Sequence, residues 1–277
     1  MNPEVAHPAV KRSRGQTLMD SFQQYRAELD EHHDRREKII KQSRDITALS
    51  KKAIFAAHRI TNTDKEVVVQ EVESKMKDLK AMFARVQPEL EGENFWRYER
   101  SISPGIQEYL EAVIFYNYLI NHKIMSLGES QDSLAGSQVP QTGDQSPPAA
   151  AETRPLVNIT VSDYLGGVAD VTGEMMRLAI GSVGKSLQPV SSDGQEHETE
   201  FSIDSIGRMV RSIKSEMDSL VPFLFWLEKK MSVMDASLSK IELASYNLKI
   251  RGAEFAGAPA RLAALAERNF SDDDSLR

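Results

Sequence analysis

From Gln16 to Gln87 the chain contains neither glycine nor proline. Nothing in that stretch breaks a helix or supplies a tight turn, so long helices are the default. The first is expected over about Thr17 to Arg59. Phe22, Tyr25, Leu29, Ile39, Ile40, Ile46, Leu49, Ala53 and Ile54 approximate one face of it. At about 1.5 Å per residue such a helix exceeds roughly 60 Å, more than one compact domain needs. Helices of that length belong to long bundles and oligomers. Thr61-Asn62-Thr63-Asp64 reads as a break followed by an N-cap, with Glu66 in the first turn of a second helix. Val68, Val72, Met76, Leu79 and Phe83 form its stripe, it runs to about Val86, and Pro88 and Gly92 end it.

A third helix is expected from about Phe95 to Met125, with Pro104-Gly105 marking a kink or a local break. Its middle, Glu108 to Tyr116, is apolar almost all the way round. Tyr109, Val113, Tyr116 and Ile120 share one stripe, and Ala112, Phe115 and Leu119 cover the opposite flank. A helix of that kind is buried. It nevertheless carries Glu108 and Glu111, one turn apart. A buried carboxylate is costly unless it is paired, protonated or bound to a metal, so something must compensate these two.

Residues 127–156 are rich in Ser, Gln, Gly, Ala and Pro and read as a flexible insertion between helices. Beyond it, Thr160 or Ser162 caps a fourth helix striped by Tyr164, Val168, Val171, Met175 and Leu178, with Asp170 and Glu174 one turn apart on its flank. A second loop is expected over 181–200, a fifth helix over about Ile203–Leu220 and a sixth over about Pro222–Ile250, stopped by Gly252. Residues 1–14 form a basic tail expected to be disordered, 15–256 a single helical domain, and 257–277 a C-terminal tail. No strand pattern and no repeat stands out. The expected class is all-α: a bundle of about six or seven helices with a very long N-terminal one.

The net charge of −7 argues against a purely electrostatic nucleic-acid binder. Residues 1–60, however, hold twelve Lys and Arg against eight Asp and Glu, so a local basic surface remains open. The absence of cysteine excludes disulfides, zinc–thiolate sites and thiol nucleophiles, and fits a reducing compartment. No apolar run reaches the roughly 20 residues of a membrane span, and the N-terminus lacks an apolar signal core. Lys11-Arg12-Ser13-Arg14 reads either as a nuclear-import patch or as a solvated tail; cytoplasm and nucleus are the expected locations.

Two helices thus each present two carboxylates a turn apart, Glu108 with Glu111 and Asp170 with Glu174. If the helices pack together, four carboxylates converge. Oxygen-only clusters select hard cations such as Mg²⁺, Mn²⁺ or Ca²⁺. A di-iron bundle site wants Glu-x-x-His, and position 111 is Glu where His is needed. A plainer reading also stands. Asp170 and Glu174 suit an ordinary polar face, Glu108 an exposed helix start, and Glu111 a lone buried carboxylate paired with an arginine. The six histidines match no metal spacing or nucleophile elbow; His58-Arg59 reads as a helix end. There is no P-loop, GxGxxG or zinc motif. Trp96 and Trp226 are expected as core or interface anchors rather than base-stacking platforms. Lys51-Lys52, His58-Arg59, Arg97 and Arg100 are the candidate phosphate contacts, each alone more often plain surface charge.

Four segments carry a resemblance. They are Ser43-Arg44-Asp45-Ile46-Thr47 with Ile54-Phe55-Ala56-Ala57-His58-Arg59; Gln107-Glu108-Tyr109-Leu110-Glu111-Ala112-Val113; Asp163 to Arg177, with Ala169-Asp170-Val171-Thr172-Gly173-Glu174 at its centre; and Tyr246-Asn247-Leu248-Lys249-Ile250-Arg251-Gly252. In this order they resemble the translin family, on its translin-associated factor X branch. The resemblance implies a long-helix bundle, a roughly octameric shell formed with translin and enclosing RNA, and a Mg²⁺-dependent endoribonuclease site. That site is implied to act on silencing strands and tRNA-derived fragments. It also implies that Glu108, Glu111, Asp170 and Glu174 are the catalytic acids. Phe95-Trp96-Arg97-Tyr98-Glu99-Arg100 departs from translin's own basic and histidine RNA contacts, which favours dependence on translin for binding.

On this reading Glu111 and Glu174 ligate Mg²⁺, or Mn²⁺ in its place, while Glu108 and Asp170 complete the cluster or orient the attacking water. Single-stranded RNA is the expected substrate, although the sequence alone does not separate RNA from DNA. Without metal the acidic pocket is expected to repel phosphate. The alternative function is a non-catalytic scaffold that stabilises translin and modulates nucleic-acid binding.

Overall fold

The computed structural model describes residues 14–136, 154–186 and 201–254. The basic tail up to Ser13, the middle of both expected loops and the C-terminal tail lie outside the described residues. Seven α-helices occur among those described: α1 (Arg14–His58), α2 (Lys65–Val86), α3 (Asn94–Asn121), α4 (Leu127–Ser133), α5 (Val161–Ser186), α6 (Ile203–Asp218) and α7 (Leu227–Glu254). The class is all-α, as expected, and no described helix is long and apolar enough to cross a membrane.

α1 has 45 residues, about 67 Å of helix at 1.5 Å per residue. Its apolar positions do not behave as one face. Ile39, Ile46, Ala53, Ile54, Ala56 and Ala57 are buried, whereas Leu18, Met19, Phe22, Tyr25 and Leu29 are all more than half exposed. The cause is length. α3, the main partner of α1, has 28 residues, and α2 has 22. At roughly 42 and 33 Å they cannot cover a helix of α1's reach. The neighbours still clamped to α1 near its middle are Tyr98, whose hydroxyl lies 2.6 Å from His32 Nδ1, and Glu89, which Arg35 approaches at 3.6 Å.

α3 lies at the centre, packed on α1 and α5, and α7 packs on α5 and α6. Tyr109, Leu110, Ala112, Ile114, Phe115 and Leu119 are fully buried, as the all-round apolar pattern requires. α3 also runs unbroken through Pro104, where a break was an option. Proline removes an amide donor and crowds the preceding turn. The buried Ser43 hydroxyl of α1 supplies local compensation: it accepts from the Gly105 N–H at 3.0 Å and donates to the Ile102 carbonyl at 3.3 Å. The fit at Gly105 is tight: a Cβ there would lie 3.0 Å from both the carbonyl oxygen and the hydroxyl of Ser43, so α1 would have to give by a few tenths of an ångström. Gly105→Ala is therefore expected to destabilise the bundle by about 1–3 kcal/mol, the usual range for overpacking. Chemical denaturation of the two proteins measures it.

The two expected loops are shorter than the composition suggests. Residues 127–136, assigned to the flexible insertion, contain α4, closed by a capping box between Ser126 and Glu129. Leu134 is fully buried behind it. Ala135-Gly136 then pairs with Arg154-Pro155 as a two-residue antiparallel bridge. Gln131 clamps the returning chain, donating to the Val157 carbonyl at 2.9 Å and accepting from the Ile159 N–H at 2.8 Å. Single buried residues, not periodicity, order this segment. α5 likewise extends to Ser186, past the expected end at 181. Neither tryptophan belongs to the core: Trp96 is 65% exposed and Trp226 40%.

Candidate functional site

α5 begins at a polar knot. Thr160 Oγ1 accepts from the Asp163 N–H at 3.0 Å and donates to Asp163 Oδ2 at 2.9 Å. Ser103 and Gln107 of α3 donate to Asp163 Oδ1 at 2.5 and 3.1 Å. This carboxylate is almost wholly buried, and it accepts three hydrogen bonds, from Thr160, Ser103 and Gln107, so its work is to tie the start of α5 to α3. One turn on, Gly166 and Gly167 let the two backbones close up. A Cβ at Gly167 would stand 2.6 Å from Leu110 Cβ and 3.3 Å from the Gln107 carbonyl. That contact sits between Glu108 and Glu111 on one helix and just before Asp170 on the other.

The four acids therefore face one cleft of about 920 Å³. α1 closes it with Lys51, Phe55 and His58, and α7 with Lys229 and Lys230. Three of the acids have basic partners. Glu174 accepts from Arg177 at 2.9 and 3.0 Å and lies 2.5 Å from His58 Nε2. Asp170 accepts from Lys230 at 2.6 Å. Lys51 stands 3.8 Å from Glu108. Glu111 has no hydrogen-bonded or ion-paired partner among the described residues. Burial, and then the Glu108, Glu174 and Asp170 carboxylates, push it up to about 8 against the pull of Lys230. Burial raises Glu108 as well, with Lys51 opposing.

The lining corrects one expectation. Glu108, Glu111, Asp170 and Glu174 are matched in number by Lys51, Arg177, Lys229 and Lys230. The cleft is charge-balanced rather than acidic, and a phosphate meets no net repulsion there. As the side chains stand, no group of three or more His, Asp or Glu among the described residues is drawn together tightly enough to hold a metal ion, and three of the four acids lean on their own cations instead. The donor chemistry still fits a hard cation: the acids supply carboxylate oxygens only, and Glu111 has no ion-paired partner among the described residues.

The candidate phosphate contacts separate. Lys51 lines the cleft. Arg100 lies beside it, in a groove between α1 and α3. Arg59 pairs with Glu71 of α2, and Arg97 rests on the His32 ring of α1; neither lines the cleft. Sequence reasoning passes over Lys230 and reads His58 as a helix end and candidate phosphate contact, not as the partner of Glu174. His58 sits 116 residues from its partner Glu174, and no local spacing announces a pairing of that kind.

A profile of the Translin family matches residues 34–252. Translin-associated protein X of Rattus norvegicus is 36% identical over 249 residues, 87% of this chain and 82% of its own. Among solved structures, the fold resembles apo-NeC3PO with a TM-score of 0.56 at 16% identity, covering 79% of this chain and 92% of that one. It also resembles AfC3PO in complex with duplex RNA, with a TM-score of 0.52 at 16% identity and coverage of 80% and 93%.

Proposed function

The chain belongs to the translin family, and from that premise we propose that it is the catalytic subunit of a hetero-oligomer with translin, a Mg²⁺-dependent endoribonuclease that cuts single-stranded RNA. The observation that carries this reading is Glu111. A carboxylate on a core helix, hemmed by three others and left without a partner, has its cost explained if a cation is meant to sit beside it. A family scaffold with no chemistry has no use for that arrangement.

Glu111 and Glu174 are the residues that would hold the cation, Glu174 being already oriented by His58 and Arg177. Bound there, Mg²⁺ supplies charge neutralisation on the scissile phosphate and a water of lowered pKa. The rest is done by the chain. Glu108, half-buried and raised by its surroundings, is placed to accept the proton of the attacking water. Lys51, Lys229 and Lys230 face the same space and hold the phosphate's remaining oxygens. Asp170 keeps Lys230 in place through its 2.6 Å bond.

The test is cleavage of a labelled single-stranded RNA by this chain co-purified with translin. Cutting is expected in Mg²⁺ or Mn²⁺ and is expected to stop in EDTA, while RNA binding persists because the cleft is charge-balanced without metal. Cutting that survives chelation would refute the mechanism.

A further inference from the structure

The charge-balanced cleft opens onto a basic surface. A groove of about 560 Å³ between α1 and α3 adjoins it, lined by Arg36, Arg44, Thr47, Lys51 and Arg100 among others, and no acidic side chain lines it. Lys51 lines both the groove and the cleft. Arg36, Arg44 and Arg100 are exposed, and none of them forms an ion pair or hydrogen bond with another described residue. Elsewhere on the described surface cations are commonly matched: Arg35 with Glu31, Lys38 with Glu89, Arg59 with Glu71, Arg211 with Glu242. An unmatched, one-sign row is an electrostatic footprint.

The row is also in register. At 100° per residue Arg36, Arg44, Lys51, Phe55 and His58 fall within a sector of about 100° on α1. From Arg36 to Lys51 the helix rises about 22 Å, too far for one phosphate and suited to a chain of them. At the cleft end stands Phe55, 73% exposed. An exposed ring beside a run of cations is the combination that single-strand binders use, the cations tracking the backbone and the ring stacking a base.

We infer that the α1–α3 groove is the approach track for a single-stranded polynucleotide: Arg36, Arg44 and Arg100 hold its phosphates, Lys51 hands the strand into the cleft, and Phe55 stacks a base at the threshold. This deepens the nuclease reading and rests on it for the direction of the strand. The cations are positioning residues; none touches the reacting atoms.

The test uses the full chain co-purified with translin and a single-stranded RNA carrying 4-thiouridine, crosslinked in EDTA so that cutting cannot intervene. Label transfer is read on this chain's own band, which separates it from translin. The triple variant Arg36→Gln, Arg44→Gln, Arg100→Gln is expected to lose about fivefold or more of its label. Its log–log salt dependence is expected to flatten by about 2, three phosphate contacts at about 0.7 each. The corresponding Arg→Lys triple variant keeps the charge and is expected to retain most of the label, which separates lost binding from lost folding. Label unchanged in the Gln variant overturns the proposal. So does intact label with lost association to translin, which would make the groove a protein-docking surface. If labelling behaves as expected but the wild type does not cut RNA in Mg²⁺, the track stands and the nuclease reading falls.

Discussion

Replacing Glu111 by alanine is expected to leave the bundle assembled and RNA bound, with cutting reduced by about 10³-fold or more, the scale of losing a residue on which a catalytic unit depends. The same residue yields a second, independent readout through stability. Its carboxyl is ionised above about 4.5 in the unfolded chain but holds its proton up to about 8 in the fold. The raised value means that ionisation opposes folding. The penalty is absent below pH 4.5, grows as the pH climbs toward 8, and is constant above it. Glu111→Gln removes it. The metal-free Gln variant is therefore expected to match the wild type near pH 4 and to exceed it at pH 8–9 by about 2 kcal/mol, a figure discounted for the solvent that reaches this half-buried group. Ligation needs the ionised form, so Mg²⁺ is expected to stabilise the wild type and not the variant. Thermal melts across pH, with and without Mg²⁺, read all of this. A variant that cuts at the wild-type rate, or that is less stable than wild type at pH 8, would remove Glu111 from the site.

The next largest effect is expected at a residue with no functional group. At Gly167 a single added methyl would sit 2.6 Å from Leu110 Cβ, and neither backbone is free to give way cheaply. Gly167→Ala forces α3 and α5 apart between the two acid pairs. The cost in stability is about 2–3 kcal/mol, as for other overpacked cores. The expected cost in activity is about 10²-fold, comparable in free energy, because displacements near 1 Å are enough to misalign a catalytic constellation. Gly181→Ala, on the same helix with nothing within 4 Å of its added carbon, is the control. It is expected to stabilise by about 0.5–1 kcal/mol, since alanine outdoes glycine inside a helix. Denaturant midpoints and single-turnover cleavage of both variants separate packing from propensity. Equal behaviour of the two would mean that the close approach at 167 does not position the acids.

The helices of the core were legible in the sequence because periodicity and the absence of Gly and Pro are local signals. Val68, Val72, Leu79 and Phe83, or Val168, Val171, Met175 and Leu178, repeat at helical spacing and are buried where that spacing puts them. The acid pairs were legible for the same reason, each being one turn of one helix. What joins them was not. The Ser43 hydroxyl that carries α3 past Pro104, the Asp163 knot, the His58–Glu174 bond and the Lys230–Asp170 bond link residues about 60 to 116 positions apart. A pattern read along one helix contains no information about its partner's register. Composition misleads at 127–136 for a related reason: Ser, Gln, Gly and Ala suggest a linker, but one buried Leu134 and one capping box order it.

α1 is one helix by geometry and two by thermodynamics. From Ile39 onward its backbone is held by the core, and its amide protons can exchange only when the bundle itself opens. Before His32 the described side chains of the same helix are almost all exposed. Its turns rest mainly on propensity, which sustains an isolated helix of that length only marginally. Fraying there leaves the cleft untouched, so the front of α1 can order or melt with its surroundings at no expense to the chemistry behind it.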